Sequence, residues 1–171
     1  TADDVVDAND TVLSLREAIT LANADADADT ITFASSLDGQ TITLSGTELT
    51  LTSDITIDGD IDGDNVADIT IDGDSQSRVF NISSGGIATL DALTITGGNT
   101  TGNGGGINIA SGGTATVTNS TLSGNTATNF GGGINNGNGG TATVTNSTLS
   151  GNSAYFGGGI SNTGTATVTN S

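Results

Sequence analysis

The last third of the chain repeats itself. The segment Thr-Ala-Thr-Val-Thr-Asn-Ser begins at Thr114, Thr141 and Thr165, so successive copies are 27 and 24 residues apart. Two further motifs recur at a similar period: Gly-Gly-Gly-Ile at 104–107, 131–134 and 157–160, and Leu-Ser-Gly-Asn at 122–125 and 149–152. Repeats of about 20 to 50 residues are typical of stacked structural units. We therefore predict that near-identical segments lie directly over one another.

The pattern within the repeats indicates short strands. From Thr30 onward apolar residues alternate with polar ones, as in Ile55 and Ile57, and clusters of Gly, Asp, Asn and Ser supply turns between them. No proline interrupts this pattern. A repeat of this length without a helix fits one coil of a parallel β-solenoid, in which each strand pairs with its copy one coil away. We predict an all-β solenoid of about five or six coils, in which Val117 points inward.

The turns and outer faces of the repeats suggest further stacking. Threonines alternate with the inward residues, so they are expected to form files on the solvent side. Three asparagines occupy one corner of successive coils and could form an amide ladder, namely Asn119, Asn146 and Asn170. Phe130 and Phe156 precede successive Gly-Gly-Gly-Ile motifs and are expected to stack one coil apart.

Only the N-terminal region has a helical pattern. Apolar residues follow helical spacing between residues 13 and 24, and Ser14 and Glu17 form an S-x-x-E capping box. We predict a single domain over residues 1–171, in which residues 1–30 form a cap with a helix at about 14–23 and residues 31–171 form the coils. The helix would cover one end of the solenoid, whereas the C-terminal end would be open or continued and could pair with another molecule.

The charge balance excludes several partners. The sequence has nineteen acidic residues but only two basic ones, Arg16 and Arg78, and the formal net charge is -17. We therefore predict no binding to nucleic acid, and the lack of an apolar run of about 20 residues predicts no membrane insertion in this segment. Arg78 is expected to pair with Asp72 or Asp74.

The composition also bears on catalysis. The lack of His and Lys leaves few candidates for a general base, so we predict no enzymatic activity. The alternative is glycoside hydrolysis by paired carboxylates.

An acidic loop is the best candidate for a ligand site. Carboxylates alternate with small turn residues between 58 and 68, and the candidate ligands are Asp58, Asp60, Asp62, Asp64 and Asp68. Calcium favours six to eight oxygen ligands on a tightly curled loop. Asn65 occupies the position where glycine commonly turns such loops. We predict that the loop binds Ca²⁺, and the alternative is a solvated loop held by Asx turns.

Two segments resemble known bacterial proteins. The run Ser14-Leu-Arg-Glu-Ala-Ile19 resembles the Ser-Leu-Arg-Glu-Ala segment that opens many large exported β-helix repeat proteins. The Gly-Gly-Gly-Ile and Leu-Ser-Gly-Asn repeats are similar to those of polymorphic outer-membrane proteins and related adhesins. The resemblance implies a right-handed parallel β-helix at the cell surface or beyond it, with adhesion or surface architecture as its role.

These observations favour a non-catalytic structural or adhesive module of a bacterial surface protein. Such a module could associate with itself through its ends into fibres or a layer, or bind a host or extracellular polysaccharide. Two alternatives stay open. One is a polysaccharide-binding or polysaccharide-cleaving β-helix, for which Tyr155 is a candidate sugar contact. The other is an ice-binding solenoid that uses the outward threonines.

Overall fold

The strands of successive coils pair in parallel, each with its copy in the next coil. The computed structural model describes residues 1–4 and 12–171, and the part of the predicted cap at residues 5–11 lies outside this description. The described chain contains one α-helix, α1 (Leu15–Ala22), one short 3₁₀ helix (Ser35–Leu37) and nineteen strands. The predicted all-β parallel solenoid is therefore confirmed, while its handedness stays a prediction.

About five coils follow the cap. The first contains β1 (Ala28–Thr32), β2 (Thr41–Thr43) and β3 (Leu49–Leu51), and the second contains β4 (Asp54–Asp58), β5 (Ile69–Asp72) and β6 (Phe80–Ile82). The third contains β7 (Ile87–Asp91), β8 (Leu93–Thr96), β9 (Asn99–Thr100) and β10 (Ile107–Ile109). The fourth contains β11 (Thr114–Thr118), β12 (Thr121–Ser123), β13 (Thr126–Phe130) and β14 (Ile134–Asn136). The fifth contains β15 (Thr141–Thr145), β16 (Thr148–Ser150), β17 (Ser153–Phe156) and β18 (Ile160–Asn162), and β19 (Thr165–Thr169) adds a sixth rung.

The strands form four walls along the column. Wall 1 has six strands in the order β1-β4-β7-β11-β15-β19, and wall 2 has β2-β5-β8-β12-β16. Wall 3 has only β9-β13-β17, and wall 4 has β3-β6-β10-β14-β18. The sequence repeat sets the register, because Val117 pairs with Val144 and Val144 pairs with Val168. Leu90 pairs with Val117, as the weaker match of the preceding coil predicts.

The core is a continuous column of aliphatic side chains. Inward residues of walls 1, 2 and 4 stack coil on coil and are almost completely buried, among them Ile57, Ile71, Leu90, Ile95, Ile107 and Val117. Full burial of one such side chain stabilises the fold by about 1.5–3 kcal/mol. Wall 1 also has an inward file of small side chains, namely Ala88, Ala115 and Ala142. At these positions wall 1 therefore fills only a small volume of the core.

The corner after wall 1 contains the predicted asparagine ladder. Asn119, Asn146 and Asn170 have φ angles of 52°, 51° and 53°, in the left-handed region that asparagine tolerates better than most residues. Asn170 donates a side-chain hydrogen bond to Asn146 and Asn146 donates one to Asn119, each at 3.4 Å. Asn119 then donates to Asp91 at 3.0 Å, so the ladder extends one coil beyond the three asparagines.

Candidate functional site

The acidic loop between β4 and β5 brings three carboxylates together. One oxygen atom from each of Asp60, Asp62 and Asp68 lies within 4.8 Å of the other two. Asp58 and Asp64 lie outside this group of three. Each accepts a backbone hydrogen bond within the loop, from Asp60 at 3.0 Å and from Val66 at 2.8 Å respectively.

Backbone N–H groups hold the loop in its curled shape. The Asp60 carboxylate accepts from Gly63 at 2.7 Å, from Asp64 at 3.1 Å and from Asn65 at 3.0 Å. Asp68 accepts from Ile61 at 2.7 Å. Asn65 has a φ of 61°, which is the left-handed turn that its position in the sequence predicts. The Asx-turn alternative therefore describes the local geometry, and it is compatible with a cation on the remaining oxygen lone pairs.

Repulsion from neighbouring carboxylates affects the protonation of Asp62. A hydrogen bond from the Asp64 backbone lowers the pKa of Asp62, but the neighbouring charge of Asp64, slight burial, and the charges of Asp68 and Asp60 raise it by more. The net result is a raised pKa, so Asp62 loses its proton less readily than an ordinary exposed aspartate. Three carboxylates supply the oxygen ligands that Ca²⁺ prefers, and carbonyl groups or water would have to complete its shell.

A second set of polar contacts lies where the N-terminal segment meets the first coil. Helix α1 begins at the capping box predicted from Ser14 and Glu17, with both of its hydrogen bonds present, and ends at Asn23. The Asn23 side chain donates to the Thr50 carbonyl and accepts from the Thr52 N–H, each at 2.8 Å. It therefore mimics a neighbouring strand along β3. Arg16 forms an ion pair with Asp4, whose side chain is almost completely buried.

The other arginine lies on the side of the column. Arg78 forms an ion pair with Glu48, one coil earlier, so the predicted pairing with Asp72 or Asp74 is wrong. Nε of Arg78 also donates to the carbonyls of Asn103 and Gly104, at 2.9 Å each. These contacts join loops of three different coils. The three loops share no repeated motif, so the sequence pattern does not reveal that they pack together.

Exposed aromatic rings lie on wall 3. The rings of Phe130 and Phe156 stack with centroids 5.4 Å apart and planes at 15°, as predicted. Tyr155 contacts Phe156 edge to face, with centroids 4.5 Å apart and planes at 86°. All three side chains are exposed, whereas Phe80 is fully buried in the core.

Charge is distributed unevenly along the column. Every Asp, Glu and Arg of the sequence lies at or before Asp91, so the last two coils and β19 contain no charged side chain. Their surface consists mainly of threonine, asparagine, serine and glycine, together with the aromatic rings of wall 3 and, on the last rung, Val168. The column is therefore strongly acidic near the cap and uncharged at the other end.

Comparison with protein-family models, curated proteins and solved structures gives no match to this chain. No helix in the described part of the chain has the length and apolar character needed to cross a bilayer.

Proposed function

We propose that this chain is a non-catalytic structural and adhesive module of an exported bacterial surface protein. One observation carries the proposal: the in-register column of six wall 1 rungs, whose last coils contain no charged side chain. A column of stacked strands with an uncharged surface suits display of a contact surface. The resemblance of the 14–19 segment to exported repeat proteins supports location at the cell surface.

Each end of the column has a different part in this role. The acidic coils near the cap repel one another and anionic surfaces at low salt, and calcium at Asp60, Asp62 and Asp68 would offset that repulsion. The uncharged coils present hydroxyl and amide groups that can make hydrogen bonds without the desolvation cost of a charge. The neutral half is therefore the part proposed to make adhesive contacts.

Immunogold labelling of intact cells that produce the protein tests this role. An antibody raised against residues 1–171 is expected to label the outer surface before permeabilisation, and washing with a calcium chelator is expected to reduce or disorganise the label. Label found only after permeabilisation would overturn the proposal. Saturable release of reducing sugar from a polysaccharide by the purified chain would also overturn it, in favour of the glycosidase alternative.

An ice-binding role is the second candidate, because the central outward file of wall 1 is threonine in all six rungs. The file consists of Thr30, Thr56, Thr89, Thr116, Thr143 and Thr167. Neighbouring rungs repeat about every 4.8 Å, which gives a regular hydroxyl and methyl array. Thermal hysteresis that disappears in a Thr116→Tyr variant would favour this candidate, and its absence in the parent chain would exclude it.

A further inference from the structure

The exposed rings of wall 3 form one aromatic cluster. The exposed fractions of Phe130, Phe156 and Tyr155 are 41%, 53% and 78%. Exposed aromatic area of this kind is unfavourable in water, and contiguous apolar patches on soluble proteins mark contact surfaces. The stacking of Phe130 on Phe156 leads the cluster along the solenoid axis from one coil to the next.

A polar groove borders the N-terminal end of the same wall. It has a volume of about 480 Å³ and is lined by Glu48, Gln76, Arg78, Asn99 and Thr101 among others. Ligand pockets commonly have volumes of about 300–1,000 Å³. Glu48 and two backbone carbonyls accept hydrogen bonds from the Arg78 guanidinium.

The lining of the groove contains a polar group without a partner. Ser77 is only 9% exposed, and its hydroxyl has no hydrogen-bond partner among the residues that the structure describes. A buried hydroxyl that makes no hydrogen bond costs about 1–3 kcal/mol. This hydroxyl is shielded from solvent, so the hydrogen-bonding groups that a ligand in the groove would meet are the exposed side chains of Gln76, Asn99 and Thr101. They make the groove a site for a polar, hydrogen-bonding ligand.

Asn129 connects the groove to the rings. Its N–H donates to the Gly102 carbonyl at 3.1 Å, and its side chain lies 3.4 Å from the carbonyl of Thr101, which lines the groove. Phe130 is the next residue. The groove and the cluster are therefore parts of one strip along the column, here termed the wall 3 track, which comprises Glu48, Gln76, Ser77, Arg78, Asn99, Asn129, Phe130, Tyr155 and Phe156.

The charges along this track select against ionic ligands. A polyanion is repelled by a chain of net charge -17, and the only cation in the groove is already paired with Glu48. A polycation would find its counter-charges on the acidic coils near the cap, not at the rings. Amides and hydroxyls beside aromatic surface match a ligand that has hydroxyl groups at its edges and C–H groups on its faces.

We propose that the wall 3 track binds a neutral polysaccharide chain that lies along the solenoid axis. Sugar hydroxyls bond in the groove to Gln76 and Asn99, while a sugar ring farther along packs on Tyr155 and Phe156. This inference rests on the proposed function, because it gives the adhesive module the chemical class of its partner.

Depletion of the full chain from solution by insoluble polysaccharides tests this inference. Two neutral polymers, cellulose and β-1,3-glucan, are compared with alginate gel, which is anionic. At least one neutral polymer is expected to bind the chain saturably, and alginate is expected to leave it in solution. The double variant Tyr155→Ala/Phe156→Ala is expected to raise the Kd about tenfold or more, as removal of aromatic anchors from an interface commonly does.

Two further variants complete the design. Gln76→Ala, at the groove end, is expected to raise the Kd several-fold, because it removes one hydrogen bond from the bound chain. Ile87→Ala is the matched control, since Ile87 is an exposed apolar residue on wall 1, away from the track, and its loss is expected to change nothing. Unchanged melting temperatures would show that each variant remains folded.

Several outcomes would overturn the inference: no binding to either neutral polymer, equal binding to alginate, or track variants that bind as well as Ile87→Ala. If Tyr155→Ala/Phe156→Ala weakened polysaccharide binding but Gln76→Ala did not, that result would also overturn the extended track. If binding fails while the surface label on intact cells is normal, the polysaccharide partner is wrong and the surface role stands. Loss of the surface label would instead overturn the proposed function itself.

Discussion

The Asp4 carboxylate accepts two hydrogen bonds from the Arg16 guanidinium, each 2.8 Å long. The pair also binds the edge of the first coil, because Arg16 donates to the Thr47 and Glu48 carbonyls and Asp4 accepts from the Ser45 N–H. A free strand edge exposes such groups and invites association with other strands. Here cap side chains bond to backbone groups of residues 45, 47 and 48, in the turn before β3, so this part of the first coil is not free to pair with a further strand.

Removal of Arg16 should destabilise the cap. Arg16→Ala leaves the buried Asp4 carboxylate without its charged partner, and we expect the free energy of unfolding to fall by about 3 kcal/mol. The unfolding free energy of Arg16→Lys should lie between those of Arg16→Ala and the parent chain, because an ammonium group keeps the charge but cannot make the bidentate contact. Urea denaturation measures both. A change below about 0.5 kcal/mol in Arg16→Ala, typical of an ordinary surface substitution, would contradict the role of the pair.

The same contact predicts a loss of stability in acid. Burial raises the pKa of Asp4, but hydrogen bonds from Arg16 and Ser45 outweigh it and place the pKa below the usual 3.8. A lowered folded pKa means that the stabilisation is complete above the unfolded pKa and is lost as the pH falls through the folded one. We expect the unfolding free energy to decline below about pH 4, and to decline less steeply in Asp4→Asn. Equal pH profiles for the two chains would count against this assignment.

The asparagine corner separates backbone strain from hydrogen bonding. Asn146 has a φ of 51°, so Asn146→Ala should cost about 1–2 kcal/mol of left-handed strain in addition to the ladder contacts. Asn146→Gly loses the same side-chain contacts but tolerates the angle. We therefore expect thermal unfolding to rank the parent chain above the glycine variant and the glycine variant above the alanine variant. If the alanine variant were as stable as the glycine variant, backbone strain at this position would be ruled out.

Calcium should stabilise the acidic loop. Titration calorimetry is expected to show binding at millimolar Ca²⁺ or below, with a rise in melting temperature that NaCl of equal ionic strength does not reproduce. Asp60→Asn and Asp68→Asn should lose both effects, since each removes one charged ligand. Asp38→Asn is the control, because Asp38 is exposed and outside the loop. Absence of binding heat and of a melting shift in the parent chain would contradict the calcium prediction.

Strict periodicity explains why so much of the fold follows from the sequence. Once Thr114 and Thr141 align, the register of Val117, the left-handed turn at Asn119 and the stack of Phe130 follow, because parallel pairing repeats every contact one coil later. The capping box also fixes the start of α1 from local sequence alone.

Contacts between non-repeating loops could not be predicted in this way. The pair of Arg78 and Glu48 joins loops of unequal length, and no motif links the two positions. The five loop carboxylates are alike in the sequence, yet the folded loop groups only Asp60, Asp62 and Asp68. Hydrogen bonds from backbone N–H groups do not distinguish these three, since Asp58 and Asp64 accept them as well.

The triple glycines are a further case of close packing, because a Cβ on Gly132 would lie 2.5 Å from the Gly158 carbonyl oxygen of the next coil. A sequence reading assigns such glycines to turns, since only the folded coil shows how closely its neighbour approaches.

Engineered cysteine pairs on wall 1 test the stacked register most directly, because the chain has no cysteine of its own. Thr116 and Thr143 are direct partners on neighbouring strands, about 4.8 Å apart, within the range that a disulfide spans. Thr116→Cys with Thr143→Cys should therefore form an intramolecular disulfide under mild oxidation. Thr116→Cys with Thr145→Cys, diagonal neighbours about 7–8 Å apart, should stay reduced. A first pair that stays reduced, or a second that oxidises as readily, would contradict the in-register column.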